Sequence, residues 1–175
     1  MNILCIGGTG FVGHWIHSMG YSNIVGKDDY EKGWWKDNYW EAIVHLAPIP
    51  VDDIIEIAKR DKSRILFASS GGVYDREPDE YFRMKIDDER KLLESGLDVR
   101  IARIFTTCGA GMKWQRYAIG NFIMQAEKGI INVQSYGLVV RSYMYGSDLA
   151  EWLWKILLDG EPGGIYNVGS DVPHS

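Results

Sequence analysis

The sequence has little cysteine and proline, no cluster of basic residues and no long apolar run. Its two cysteines cannot form a disulfide framework, and together with the four histidines they show no spacing typical of metal ligands. No apolar run approaches the roughly 20 residues that a membrane-spanning helix needs. The net charge is −5, whereas nucleic-acid binding needs a clustered positive face. We therefore expect no metal site, no membrane span and no nucleic-acid partner.

The remaining composition is that of a globular protein. Hydrophobic residues make up 46% of the 175 residues and charged residues 25%, which excludes the disordered and fibrous classes. The length fits one domain, and a chain of this size buries enough surface to fold without a disulfide or a metal. Because the N-terminus shows no signal-like stretch, we expect a single cytoplasmic domain over residues 1–175.

Short apolar runs alternate with amphipathic segments along most of the chain. We predict strands over residues 2–6, 23–26, 42–47, 64–68, 99–105, 130–133 and 165–168. We predict helices over residues 10–19, 51–59, 81–93, 118–128 and 147–158, the last with Ser147 or Asp148 near its N-cap. Residues 27–39 show no clear period. The alternation of strands and helices predicts an α/β, Rossmann-like, doubly wound parallel sheet.

A glycine-rich turn follows the first predicted strand. Gly7, Gly10 and Gly13 are spaced by three residues and lead into the first predicted helix. Glycines at such positions let the chain turn tightly and let backbone N–H groups approach a pyrophosphate at the positive end of the helix. The strand–turn–helix context indicates a dinucleotide-binding site, and a tight turn without a ligand is the alternative.

An acidic residue that would hold the adenosine ribose is expected about 20 residues after such a loop. Asp28 lies in that place, with Asp29 next to it. Either carboxylate fits the ribose hydroxyls and favours NAD. Lys27 beside them fits a 2′-phosphate, which leaves NADP open. A solvated loop is the alternative interpretation of all three residues.

A second motif combines a serine, a tyrosine and a lysine. Tyr81 and Lys85 are four residues apart and therefore share one face of a predicted helix. An ammonium group beside a phenol lowers the pKa of the tyrosine, so that its oxygen can move a proton near neutral pH. Ser70 follows the preceding predicted strand and can bond the same substrate oxygen. The alternative is an ordinary pair on a helix surface.

Seven stretches match the motifs of one enzyme family, in the order in which that family has them. They are residues 7–13, 44–47, 68–74, 81–85, 103–112, 141–150 and 166–169. On these motifs the chain resembles the extended short-chain dehydrogenases/reductases, and within them the NAD-dependent nucleotide-sugar epimerase/dehydratase family. The resemblance implies a nucleotide-sugar substrate and hydride exchange between NAD and the sugar C4.

The resemblance also implies roles for individual residues. Ser70 would hold the C4 oxygen, Tyr81 would accept the hydroxyl proton, and Lys85 would hold the nicotinamide ribose. Thr106 lies where the family contacts the sugar, and Arg141 lies where it binds the substrate diphosphate. The residues implied to bind the cofactor are Gly7, Thr9, Gly10, Phe11, Val12, Gly13, Asp28, Leu46, Ala47, Lys85 and Ile104.

Two glycines narrow the reaction that the resemblance implies. Related dehydratases carry an Asp-Glu pair just after the catalytic Ser or Thr, and related sugar-acid decarboxylases carry a Glu at the second of these places. Gly71 and Gly72 stand there in this chain and have no side chain that could move a proton. The implied chemistry is therefore 4-epimerisation or 4-keto reduction.

The chain is also shorter than the family pattern. A strand–helix unit is missing between Gly13 and Val44, and the C-terminal substrate lobe is reduced to partial elements around residues 107–160. The family's mode of pairing implies a homodimer through helix 81–93 and the helix before it. The shortened cofactor half and the reduced lobe support a second hypothesis, a non-catalytic dinucleotide-binding module that acts as a regulator or assembly partner.

Overall fold

The computed structural model describes residues 1–20, 23–133 and 139–174, and strands alternate with helices within them. In chain order the strands are β1 (Ile3–Ile6), β2 (Asn23–Val25), β3 (Ala42–His45), β4 (Arg64–Ser70), β5 (Val99–Ile104), β6 (Thr107–Cys108), β7 (Arg141–Ser142), β8 (Met144–Tyr145), β9 (Ile165–Val168) and β10 (Pro173–His174). The α-helices are α1 (Phe11–Ser18), α2 (Lys27–Lys32), α3 (Asp52–Asp61), α4 (Glu80–Glu94), α5 (Ala118–Ala126) and α6 (Gly146–Asp159).

Six strands form one parallel sheet in the order β2-β1-β3-β4-β5-β9. Leu4 lies opposite Ile43, Ile43 opposite Ile65, and Ile65 opposite Val99, so the sheet interior is apolar in register. β1 and β3 are buried along their whole length, as expected for parallel strands that helices cover on both faces. The predicted α/β, Rossmann-like fold is confirmed.

Alternate residues of β1 belong to two different hydrophobic cores. Ile3 and Cys5 pack in a cluster with residues of α1 and α6. Leu4 and Ile6 pack in a second cluster that includes residues of α3 and α4. Because successive side chains of a strand point to opposite faces, α1 and α6 cover one face of the sheet and α3 and α4 cover the other.

The strand order confirms that the sheet is short on one side. In the dinucleotide-binding order 3-2-1-4-5-6, two strands lie beyond the first strand. In the described part of this chain, β2 alone lies beyond β1. The order reverses between β1 and β3, and ligands of open α/β sheets bind in the crevice at the carboxyl ends of the strands at such a reversal.

The segment after β2 contains helices that the sequence does not indicate. It forms α2 and a 3₁₀ helix over Trp34–Asp37. Asp28 and Asp29 lie in the first turn of α2, where negative charge favours a helix start, and Gly33 ends the helix with a φ of 70°. α2 is too short to show an amphipathic period, which needs at least two turns of 3.6 residues each.

Two further expectations are wrong. Residues 130–133 do not form a strand; their apolar side chains are exposed, and no strand in the described part of the chain pairs with them. The β-branched composition that suggested a strand has no effect without a partner. The N-cap of α6 is Tyr145, which offers no side-chain cap, so Ser147 and Asp148 lie inside the first turn.

Candidate active site

The carboxyl edge of the parallel sheet brings the predicted site residues together. The glycine loop follows β1, Leu46 and Ala47 follow β3, Ser70 ends β4, and Ile104 ends β5. Because all these strands run in the same direction, their ends meet at one edge. Most of the residues that the sequence predicts to bind a cofactor or a substrate therefore lie along one edge of the sheet.

The glycine loop is built from backbone that packs too closely for side chains. Gly7 has a φ of 86°, and a Cβ on it would lie 2.8 Å from the backbone nitrogen of Ala47. A Cβ on Gly13 would collide with the backbone of Gly8. Gly10 differs, since a Cβ there would meet only the carbonyl oxygen of Gly7, at 3.3 Å. Packing within the protein thus explains why glycine is needed at Gly7 and Gly13, while Gly10 has nearly enough space for a methyl group.

Helix α1 begins directly at this loop and offers free backbone donors. Its N-cap is Gly10, which has no side chain to cap the helix. Phe11, Val12 and Gly13 form the first turn, where backbone N–H groups have no partner within the helix. The positive end of the helix dipole lies at the same place. This arrangement fits the diphosphate of a dinucleotide cofactor.

Asp28 lies two residues after Gly26, which packs against the glycine loop although it is distant from it in sequence. Thr9 contacts the residue after β2, because a Cβ on Gly26 would lie 2.8 Å from the Cγ2 atom of Thr9. Asp28 follows Gly26 by two residues and is exposed in the first turn of α2. Lys27 is exposed as well. Both residues remain available for an adenosine ribose or its 2′-phosphate.

Lys85 is the most deeply buried of the three predicted catalytic residues. Its side chain is 1% exposed, and its Nζ donates a hydrogen bond of 2.8 Å to the carbonyl oxygen of Ala68 in β4. The Nζ atom lies 5.9 Å from the ring centroid of Tyr81. Ser70 accepts a hydrogen bond from the backbone N–H of Gly72 at 3.2 Å. The fold thus brings Tyr81 and Lys85 to the end of the strand that carries Ser70.

The pKa values of the tyrosine and the lysine both follow from burial. Desolvation lowers the pKa of Lys85 to about 8, while the charges of Asp88 and Glu89 oppose this effect. Desolvation also raises the pKa of Tyr81, with smaller contributions from Tyr117 and Asp79. This differs from the expected lowering by Lys85. The physical reason is that desolvation outweighs the effect of the Lys85 ammonium group, which donates its hydrogen bond to the carbonyl oxygen of Ala68 in β4.

A chain of polar contacts behind the site is not indicated by the sequence. Ser69, which is buried, donates a hydrogen bond to Glu89. Arg103 holds the same carboxylate with two nitrogens, with an Nη2–Oε2 distance of 2.6 Å. Arg103 also donates to the hydroxyl of Tyr74, which in turn donates to Asn167, and the bond from the Arg103 guanidinium lowers the pKa of Tyr74.

Aromatic rings fill the space beside the two glycines that follow Ser70. A Cβ on Gly71 would lie 2.7 Å from the ring of Phe105, and a Cβ on Gly72 would collide with the ring of Phe82. Neither position has room for a carboxylate side chain as the structure stands. The packing around Gly71 and Gly72 is therefore consistent with the absence of an acidic pair at these positions.

The predicted substrate residues lie beyond the end of β5. Thr106 accepts a backbone hydrogen bond from Met144 at 3.0 Å, next to the pairing of β6 with β8. Arg141 is exposed in β7, three residues before Met144, and β7 pairs with β10. The chain therefore returns to the end of β5, with Arg141 exposed three residues before the one that bonds Thr106.

The described residues contain neither a metal-binding cluster nor a membrane-spanning helix. No group of three or more His, Cys, Asp or Glu side chains there is arranged to hold a metal ion. No helix in the same residues is both long enough and apolar enough to cross a membrane.

Comparison with known families identifies the chain. The model of the NAD dependent epimerase/dehydratase family matches residues 37–169. The chain belongs to this family. The family expected from the sequence motifs is thus confirmed. The glycine loop lies before residues 37–169, so the evidence for a cofactor site at this loop is the geometry of the loop itself.

Individual relatives show how much of a family member this chain covers. UDP-glucuronic acid decarboxylase 5 of Arabidopsis thaliana is 31% identical over 67% of this chain and 41% of the relative. The chain thus spans about two fifths of the length of this curated relative.

Solved structures show the same fold at low sequence identity. A dTDP-glucose 4,6-dehydratase of Bacillus anthracis in complex with NAD aligns with 100% of this chain and 77% of its own, with a TM-score of 0.80 and 18% identity. The Bordetella bronchiseptica enzyme WbmF in complex with NAD+ and UDP aligns over 99% and 74%, with a TM-score of 0.83 and 18% identity.

Proposed function

We propose that the chain is an NAD-dependent enzyme that modifies a nucleotide sugar through Ser70, Tyr81 and Lys85. The observation that carries this proposal is the position of the buried Lys85 beside Tyr81, at the end of the strand that carries Ser70. The glycine loop follows a neighbouring strand of the same edge. A dinucleotide on that loop and a sugar near Tyr81 would therefore share one crevice.

The glycine loop fits NAD on the geometry of this chain. Gly10 leaves the approach to the first turn of α1 clear of side chains, so the N–H groups of Phe11 and Val12 would hold a diphosphate there. Asp28 would accept hydrogen bonds from ribose hydroxyls, and Leu46 and Ala47 flank the loop. When bound, NAD supplies the hydride acceptor for the sugar carbon. Because Lys27 fits a 2′-phosphate, NADP is the second candidate cofactor.

The Ser70–Tyr81–Lys85 group acts on the sugar hydroxyl. Ser70 orients the oxygen by a hydrogen bond, and Tyr81 accepts its proton. Because burial raises the pKa of Tyr81, proton transfer to its phenolate needs a nearby positive charge. Lys85, whose Nζ lies 5.9 Å from the ring centroid of Tyr81, would provide that charge when it is protonated and would hold the ribose of the cofactor.

The reaction type that fits this chain best is 4-epimerisation or 4-keto reduction. Dehydration and decarboxylation need a further acid or base after Ser70, and the rings of Phe105 and Phe82 occupy the space beside Gly71 and Gly72. The curated relative named above is a decarboxylase. UDP-glucuronic acid therefore belongs in the test as the substrate that would contradict this reaction type.

The decisive experiment measures turnover of UDP-, GDP- and dTDP-sugars, with UDP-glucuronic acid included. General acid–base catalysis is typically worth about 10²–10⁴-fold in rate, so Tyr81→Phe is expected to lose turnover by about that factor. The affinity for NAD, measured by calorimetry, should stay nearly unchanged because the substitution leaves the cofactor loop intact. Tyr39→Phe, which removes a hydroxyl from an exposed ring far from the crevice, is the matched control.

The outcomes separate the two functional hypotheses. NAD binding without turnover of any sugar nucleotide would support the non-catalytic binding module. Release of carbon dioxide from UDP-glucuronic acid would replace the proposed reaction type with decarboxylation. Full activity in Tyr81→Phe would contradict the assigned role of the tyrosine.

A further inference from the structure

We propose that Asp88 is the buried counter-charge that keeps Lys85 protonated, and that Asp88 is therefore a positioning residue of the site. The inference rests on the function proposed above only for its effect on the reaction. The electrostatic coupling itself is a property of the folded chain and can be measured without any substrate.

Asp88 is buried in a way that an ordinary helix-surface aspartate is not. It is 4% exposed, and its Oδ2 atom has no hydrogen-bond partner among the described residues. It lies three residues after Lys85 on α4, and side chains at this spacing share one helix face. The preceding Asp87 is exposed and forms an ion pair with Arg90 at 2.7 Å. Two adjacent aspartates thus have opposite environments.

Lys85 has no direct ionic partner that would stabilise its charge. Its Nζ donates to the carbonyl oxygen of Ala68 and lies 4.4 Å from the ring centroid of Phe67. No hydrogen bond joins Lys85 to Asp88 in the described structure, and the effect of each charge on the pKa of the other is a through-space effect along one helix face. Charges interact much more strongly in a buried, weakly polarisable environment than in water. A buried carboxylate on the same helix face is therefore a strong stabiliser of the ammonium form.

The other ionisable groups that face Lys85 offer it no uncompensated negative charge. Glu89 on α4 is held by Arg103 of β5, whose positive charge offsets it. His45 of β3 is neutral, since burial lowers its pKa to about 3. Without a bound cofactor Tyr81 is a neutral phenol, since partial desolvation raises its pKa, and it offers Lys85 no negative charge.

The groups around Asp88 are consistent with an ionised carboxylate near Lys85. Burial raises the pKa of Asp88, while Lys85 first and Lys91 second oppose this effect. The negative charges of Asp52 in α3 and of Asp87 also raise the pKa of Asp88. Lys91 is exposed and pairs with Asp52 at 3.1 Å, so Lys85 is the buried cation that stabilises the Asp88 carboxylate.

The test measures the pKa of Lys85 by NMR of the protein with isotope-labelled lysine, without ligands. Removal of one nearby opposite charge shifts a pKa by about one unit or more, so Asp88→Asn is expected to increase the acid constant of Lys85 about tenfold. Asp87→Asn is the matched control and should leave it unchanged. Lys85→Met identifies the Lys85 resonance.

The functional readout is a pH profile. An interaction that needs the ammonium form of Lys85 is lost as the pH rises through the pKa of Lys85 in the folded state. In Asp88→Asn this loss, followed as NAD affinity by calorimetry, should occur about one pH unit lower than in the wild type. A residue with a purely structural role would reduce affinity at all pH values without moving the profile.

Each outcome has a separate meaning. An unchanged acid constant of Lys85 in folded Asp88→Asn overturns the proposal, whatever the enzyme activity. A changed acid constant in a protein that converts no nucleotide sugar supports the coupling and contradicts the proposed function. If Asp88→Asn does not fold, Lys85→Met provides the reciprocal test: coupling between two groups is symmetric, so the pKa of Asp88 should rise by the same amount in that variant. An unchanged Asp88 carboxylate would then overturn the proposal.

Discussion

At the scale of single residues, His45 has the least favourable environment for a charge. It is fully buried at the end of β3, its ring stacks on Phe67 with a centroid distance of 5.5 Å, and neither ring nitrogen has a hydrogen-bond partner among the described residues. Burial, and then the charge of Lys85, lowers its pKa from 6.5 to about 3. Protonation of this ring must therefore compete with folding.

We predict that His45→Phe makes the protein less sensitive to acid. Between pH 6.5 and about 3 the unfolded state binds a proton at His45 that the folded state does not bind, so the free energy of unfolding falls as the pH falls. The loss is roughly 1 kcal/mol for each pH unit below 6.5. Denaturant unfolding at pH 7 and pH 5 should show this loss in the wild type and a smaller one in His45→Phe.

His17→Gln provides the control, because His17 is exposed on α1. This variant should lose stability with acid as the wild type does. An equal loss in His45→Phe and the wild type would contradict the prediction. Carboxylates such as Asp53 and Asp61, whose pKa values are lowered by Lys36 and Arg60 respectively, act in a separate window at and below pH 3.8.

Site residues that belong to local sequence patterns could be predicted, whereas those whose burial depends on tertiary packing could not. Gly7, Tyr81 and Lys85 belong to local patterns, whose spacing alone places them on one turn or one helix face. Asp88 and Glu89 lie in a charged stretch of α4 that has the composition of a solvent-exposed helix surface. Their burial depends on the strands that α4 covers, which local spacing does not record.

At the scale of elements, substitutions at the start of α1 distinguish effects on packing from effects on cofactor binding. We predict that Gly10→Ala folds normally and loses affinity for NAD by at least about tenfold, which corresponds to roughly 1.4 kcal/mol. The added methyl group meets only the carbonyl oxygen of Gly7 within the protein, but it lies where the cofactor diphosphate would approach. Calorimetry with NAD and a thermal unfolding curve test both parts of the prediction.

Gly13→Ala is the contrasting variant in the same loop. Its methyl group would collide with the backbone of Gly8, and overpacking of this kind costs about 1–3 kcal/mol. Its melting temperature should fall, while that of Gly10→Ala should not. Unchanged NAD affinity in folded Gly10→Ala would count against the cofactor site.

Elements with continuous apolar runs were predictable, and short or partnerless ones were not. β1, β3 and β5 follow from runs of buried residues, and α3 and α4 from their amphipathic spacing. α2 is too short for a period, and the pairing of β6 with β8 joins segments far apart in sequence. Residues 130–133 have the composition of a strand but no neighbouring strand in the described structure.

At the scale of the whole molecule, we predict a homodimer that forms through α3 and α4. The two helices lie on the same face of the sheet and are joined by the ion pair of Lys91 and Asp52. Ile86 and Leu93 of α4 expose apolar surface that a partner subunit could cover. Light scattering at micromolar concentration should give the mass of a dimer, and Ile86→Asp should give a monomer.

Ile123→Asp on α5 is the matched control, since Ile123 is equally apolar and exposed but lies away from α3 and α4. It should remain a dimer. A monomeric wild type would contradict the predicted assembly, and dissociation of Ile123→Asp with a stable Ile86→Asp would move the interface to α5.

The rings over the glycine pair after Ser70 limit the mutational routes to a different reaction. A single Gly72→Glu exchange would place a carboxylate where Phe82 already lies, so the half-buried Phe82 ring would have to move. Shortening Phe82 alone would remove the contacts of that ring with Gly72. Because the two positions are in contact, the effects of the two exchanges are not expected to add. A gain of acid–base chemistry at this position is therefore coupled to a change at Phe82.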